Sequence, residues 1–146
     1  MSISDDPELM REIMVDHYKF PRCRKEVDDP AYATVHMDSA SCIDDVYIQV
    51  RVADGKIDDI CWHGTGCAIS CASCSIMSEL LMGKSVEEAF RIADNFDKLM
   101  LREPCDEELL EQADCFANVP REPARINCAK IGWKGLRKAL GQEVRE

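Results

Sequence analysis

The sequence predicts an α+β fold in which a three-stranded antiparallel sheet carries helices packed on one face. Three observations predict it. Apolar residues alternate with period two between Tyr32 and Ile60, whereas the segments on both sides repeat with helical period. Turn and cap residues stand at the boundaries between these stretches. Length then limits the rest: 146 residues fit one domain, residues 1–146, with one core.

The elements follow in order. Asp5-Asp6-Pro7 opens an amphipathic helix with Leu9, Ile13, Met14 and Tyr18 on its apolar side, ending before Pro21. Strands follow at Tyr32–Met37, Val46–Val52 and Lys56–Trp62, and Asp54-Gly55 is the two-residue turn of a hairpin joining the last two. Gly64-Thr-Gly66 interrupts the strand pattern, and Cys67 to Met82 reads as a helix of small residues ending at Gly83. Ser85, with Glu88 three residues on, caps the next helix. The acidic stretch Leu101 to Val119 is less regular, with a short helix expected from Asp106 to Ala113. A loop punctuated by Pro120 and Pro123 runs to Arg125, and Cys128 to Leu140 forms the last amphipathic helix.

Composition excludes several classes. Apolar residues are 46% and charged residues 32% of the chain, the balance of a folded globular protein. A formal charge of −10 and a pI near 4.8 repel phosphate backbones. Only Lys130, Lys134, Arg137 and Lys138 form a basic run, spaced as the solvated side of a helix, so no nucleic-acid partner is expected. No apolar run approaches membrane length, and the N-terminus lacks a signal-peptide pattern. A cytoplasmic location and no membrane association are therefore expected. Nine cysteines in a reducing compartment read as metal ligands, reactive thiols or small buried residues.

Cys42 and Asp44 lie at the turn between the first two strands. Cys67 follows two glycines at a helix start, where free amides favour a thiolate; Cys128 stands at the start of the last helix. With Asp44, the three cysteines offer the four ligands of tetrahedral zinc, at one end of the sheet. Spacing leaves a rival open. Cys67, Cys71 and Cys74 fall on one helical face and could hold a cluster with Cys61, or could simply pack in the core. His63, four residues before Cys67, reads as a loop residue. Arg125 can offset the negative charge of a thiolate-rich shell while hydrogen-bonding Asp44, or can be an ordinary surface arginine. Cys23, Cys105 and Cys115 carry no functional pattern.

Taken together, His17-Tyr-Lys-Phe-Pro-Arg22, Cys42-Ile-Asp44, Gly64-Thr-Gly-Cys67-Ala-Ile-Ser70, Gly83-Lys84-Ser85 and Pro123-Ala-Arg-Ile-Asn-Cys128 followed by Trp133 resemble the IscU/NifU-like superfamily of iron–sulfur assembly proteins, and within it the SufU-type zinc sulfurtransferases. Cys67 and Cys128 lie 61 residues apart, and the acidic stretch from Leu101 to Val119 between them resembles the insertion that marks the SufU type. The resemblance implies Cys42, Asp44, Cys67 and Cys128 as zinc ligands, Cys42 as sulfur acceptor and Arg125 as an arginine near the site. It implies a pyridoxal-phosphate cysteine desulfurase, SufS-like, as partner, and downstream iron–sulfur assembly proteins as recipients. The alternative is a scaffold that assembles a transient [2Fe–2S] cluster on the same ligands. The chain departs from the family pattern at Ile43, where the family has glycine, and at Cys71 and Cys74.

Overall fold

The computed structural model describes residues 2–39 and 43–142. Among these, α1 (Pro7–Lys19) precedes the strands β1 (Ala33–Asp38), β2 (Asp45–Ala53) and β3 (Lys56–Thr65). Then come α2 (Ala68–Leu81), α3 (Val86–Met100), the single turn α4 (Glu107–Leu110) and α5 (Pro123–Ala139). Short 3-10 segments sit at Ile3–Asp5, Glu111–Phe116 and Val119–Arg121. The fold is α+β, as expected.

The sheet is antiparallel in the order β1-β2-β3, with Val35 opposite Ile48 and Ile48 opposite Trp62. Asp54 and Gly55 both take positive φ, 53° and 75°, which matches the twist of a two-residue hairpin. Strand β3 is longer than the pattern suggested. Gly64 does not end it but pairs opposite Val46 at φ +121°, and a Cβ there would lie 2.2 Å from the Asp45 carbonyl oxygen. The glycine lets the last rung of the sheet close tightly beside Asp44.

Val46, Ile48 and Val50 point to one face and are fully buried. That face receives α2 and α5. Helix α5 rests directly on β2, since a Cβ on Gly135 would come within 2.8 Å of Ile48 Cγ1. It also rests on α2, where a Cβ on Gly132 would come within 2.6 Å of Cys74 Sγ. Trp133 adds a polar tie, its Nε1 donating to Ser73 Oγ at 3.0 Å, while that hydroxyl donates to the Ala129 carbonyl at 2.6 Å. Phe96 of α3 stacks on Trp133 with centroids 4.5 Å apart. Burying each such large side chain contributes about 1.5–3 kcal/mol, so these contacts fix α5 firmly.

The other face of the sheet carries His36, Tyr47 and His63 as a stack across three strands, with centroid spacings of 4.4 and 4.7 Å. His63 is thus a strand residue in a ring stack and not a loop residue. Residues 23–25 cover the edge of β3, with Trp62 N–H donating to Cys23 O at 3.0 Å and Lys25 N–H to Trp62 O at 2.9 Å.

Three further boundaries refine the sequence reading. Ser85 caps α3 as expected, accepting from Glu88 N–H at 3.1 Å. Asp106 caps the short α4, after which Leu110, Ala113, Cys115 and Phe116 enter the core. The acidic segment is therefore a packed part of the fold. Helix α5 starts at Pro123 and not at Cys128, with Pro123 in its first turn. The basic run is not uniformly solvated either: Lys130 pairs with Asp97 at 3.4 Å, and Arg137 with Asp94 and Asp97 at 2.8 and 2.9 Å. No helix among the described residues is long and apolar enough to cross a membrane.

Candidate metal centre

The end of the sheet at which β2 begins and β3 ends is also where α2 starts. Cys67 is the N-cap of α2. Its backbone is extended, so its amide is free of the helix ladder and donates to Asp44 Oδ1 at 2.9 Å. Its sulfur accepts the Ser70 amide at 3.5 Å, in the manner of a capping side chain. The Ser70 hydroxyl donates to the same Asp44 Oδ1 at 2.8 Å.

Asp44 is only 2% exposed, and its two oxygens differ. Oδ1 holds both donors just described, whereas Oδ2 is buried and takes no hydrogen-bond donor among the described residues. Burial pushes the carboxyl upward, but the Cys67 amide and the Ser70 hydroxyl, with smaller help from the thiols of Cys128 and Cys67, outweigh it and hold the group below the usual carboxylate value. An ionised oxygen without a donor in a buried site is costly unless a cation faces it.

Cys128 approaches from α5, one and a half turns beyond Pro123, and is 3% exposed. Ligand atoms of Asp44, Cys67 and Cys128 all lie within 4.8 Å of one another, close enough to converge on one ion. The donor set is two sulfurs and a carboxylate oxygen, the ligand types that zinc accepts. These three residues fit a metal. Cys42, the fourth expected ligand, lies outside the described residues, while Ile43 beside it is 71% exposed.

Arg125 sits in the first turn of α5, three residues before Cys128 on the same face, and is exposed. Its partner differs from the expectation. A hydrogen bond to Cys128, with the negative charge of Cys67 and Cys128, raises the guanidinium above its ordinary value; the oxygen Oδ1 of Asp44 is served by Cys67 and Ser70 instead.

The rival thiol stripe resolves into packing. Burial pushes Cys71 and, more strongly, Cys74 upward as thiols. Cys71 is 3% exposed and donates to the Gly66 carbonyl at 3.5 Å, and Cys74 is pressed against Gly132. Among the described residues, Asp44, Cys67 and Cys128 are the group with metal-binding spacing. His17 is buried far from it in sequence terms, between Ser75 Oγ and Gln112 Oε1 at 2.7 Å each. Sequence reasoning missed Ser70, although its place three residues after a capping cysteine was a usable signal.

Comparison with known proteins agrees with this geometry. The model of the NifU-like N-terminal domain matches residues 9–143. The chain is 34% identical over 142 residues to the iron–sulfur cluster assembly scaffold protein IscU of Streptococcus pyogenes serotype M1, covering 96% of this chain and 87% of the relative. It is 32% identical over 136 residues to the zinc-dependent sulfurtransferase SufU of Bacillus subtilis, covering 92% and 91%. Among solved structures, the candidate SUF-system scaffold FiSufU of Fervidobacterium islandicum AW-1 superposes with a TM-score of 0.84 at 32% identity, over 88% of this chain and 94% of that one.

Proposed function

Because this chain belongs to the family of NifU-like N-terminal domains, whose relatives include an iron–sulfur cluster assembly scaffold, IscU, and a zinc-dependent sulfurtransferase, SufU, we propose that it is a zinc-dependent sulfurtransferase that accepts persulfide sulfur from a pyridoxal-phosphate cysteine desulfurase and hands it to downstream iron–sulfur assembly proteins. The observation that carries this reading is the convergence of Asp44, Cys67 and Cys128 within 4.8 Å, with the buried Asp44 Oδ2 taking no hydrogen bond among the described residues.

In this reading Asp44, Cys67, Cys128 and Cys42 hold the ion. When bound, zinc supplies a redox-inert positive charge that keeps sulfur ligands as thiolates. Cys42 is the acceptor. Its thiolate attacks the outer sulfur of the partner's cysteine persulfide; one S–S bond forms on Cys42 as the partner's S–S bond breaks, and the partner leaves as a thiolate, so charge and electrons balance without an added oxidant. Cys67 and Cys128 stay in place through this exchange, anchored by a helix cap and a buried helix. Arg125 offsets the negative charge that the thiolates bring together.

The test is elemental analysis of protein purified without added metal, followed by cysteine-to-alanine turnover with a desulfurase. About one zinc per chain, and a turnover increase that depends on Cys42, is the expected result. Stoichiometric iron and sulfide in an anaerobic preparation would instead identify a scaffold that builds a transient [2Fe–2S] cluster on the same ligands.

A further inference from the structure

Ser70 is fully buried, yet nothing in the family pattern quoted above gives it a role. Its hydroxyl has one proton. The neighbouring acceptors are Asp44 Oδ1 at 2.8 Å and the Cys67 carbonyl at 3.0 Å, and the ionised carboxylate is the stronger acceptor. Its amide meanwhile donates to Cys67 Sγ at 3.5 Å. One residue therefore touches two of the three described ligands through two different donors.

The seat for this residue is made by Gly66. The φ of Gly66 lies outside the left-handed region, so what it provides is the absence of a side chain: a Cβ there would stand 2.3 Å from Ser70 Oγ and 3.2 Å from Asp44 Oδ1. Both the hydroxyl and the carboxylate occupy the space that any other residue would fill.

With Oδ1 held by two donors, the carboxylate cannot turn about its own axis without unpairing the Cys67 amide and giving up the Ser70 hydroxyl. Oδ2 is thereby the oxygen left for an ion. We propose that Ser70 is a positioning residue that makes Asp44 a one-oxygen ligand, setting how tightly and with what geometry the centre holds its metal. This rests on the metal-centre reading above.

The test is a double-mutant cycle on metal affinity. Zn²⁺ and Co²⁺ dissociation constants are measured by competition with a chromophoric chelator for the wild type, Ser70→Ala, Asp44→Ala and the double variant. Ser70→Ala is expected to weaken binding about 10–100-fold in the wild-type background and to have no further effect when Asp44 is already alanine. The visible Co²⁺ spectrum should shift in Ser70→Ala as the carboxylate turns, a change that lost packing alone would not produce. Gly66→Ala, which keeps the hydroxyl but displaces it, should reproduce both effects and carries the test if Ser70→Ala does not fold. Equal losses in both backgrounds, or an unchanged Co²⁺ spectrum with wild-type affinity, would overturn the proposal. A wild type that binds Co²⁺ but not Zn²⁺ would overturn the zinc assignment while the cycle, read on Co²⁺, still decides Ser70; a wild type that binds neither would overturn both.

Discussion

Asp44 shows at the scale of one residue how the site divides its work, one oxygen held by the protein and the other buried with no donor among the described residues. The sulfur ligands divide differently, by what anchors them. Cys67 is fixed by its cap and Cys128 by α5, so Cys67→Ser and Cys128→Ser should lose zinc and folded stability together. Cys42→Ser should retain the fold and a fraction of the zinc, held through the other three ligands, and lose nearly all stimulation of desulfurase turnover. Zinc content, melting temperature and turnover measured on the three variants check this, and normal turnover from Cys42→Ser would move the acceptor role elsewhere. The cap position of Cys67 was legible in the sequence because two glycines precede it and a small-residue helix follows. The true partner of Arg125 was not, because its contact with Cys128 exists only once α5 starts at Pro123 and puts the two residues one turn apart. Ser70 was hidden for a similar reason: a serine in a first helical turn has no chemistry until a distant carboxylate is folded onto it.

Elements meet tightly where α2 crosses α5, with Cys74 Sγ occupying the space above Gly132. Gly132→Ala should cost about 1–3 kcal/mol by overpacking, in part offset by the better helix propensity of alanine. Cys74→Ala alone should keep the metal and lose only modest stability, and the double variant should recover most of the loss, which thermal melts of the three proteins will show. The 3-10 segment Glu111–Phe116 gives a second test through Asp114. Burial raises this carboxyl above its ordinary value, with Glu107 and Asp5 adding to the rise and hydrogen bonding from Ser4 opposing it. The charged form is thus penalised in the folded state; the penalty is full above the folded-state value and is relieved as pH falls from there to the ordinary value of 3.8. Asp114→Asn, which can keep the 2.9 Å acceptor for the Ser4 amide, should melt higher than wild type at neutral pH, with the gap closing toward pH 4; a constant gap would refute the assignment. The strands were legible because alternation with a buried face is hard to imitate. The start of α5 was obscured because Pro-Ala-Arg-Ile-Asn carries almost no apolar period, and Gly64 was misread because a glycine required for close approach looks in sequence like one that breaks a strand.

At the scale of the whole molecule, the site ties together the beginning of β2, the beginning of α2 and the interior of α5, three places far apart along the chain. A metal bound only by the folded form stabilises all of them at once. Removing it with a chelator should lower the melting temperature by roughly 10 °C at ligand concentrations near a thousand times the dissociation constant, and differential scanning calorimetry with and without chelator measures this directly. The order of the three ligand segments along the chain has a kinetic side as well. The β2–β3 hairpin closes over a two-residue turn and can form early, since its contacts are local. It brings Asp44 near Cys67 before the rest of the chain has arranged itself. Cys128 is delivered only when α5 docks across β2 and α2, and α5 is the last of the described helices to emerge during synthesis. Under the proposed function, a nascent chain that still lacks α5 would offer an open, weakly binding half-site, and ion capture would become a late checkpoint, passed only after the whole topology has closed.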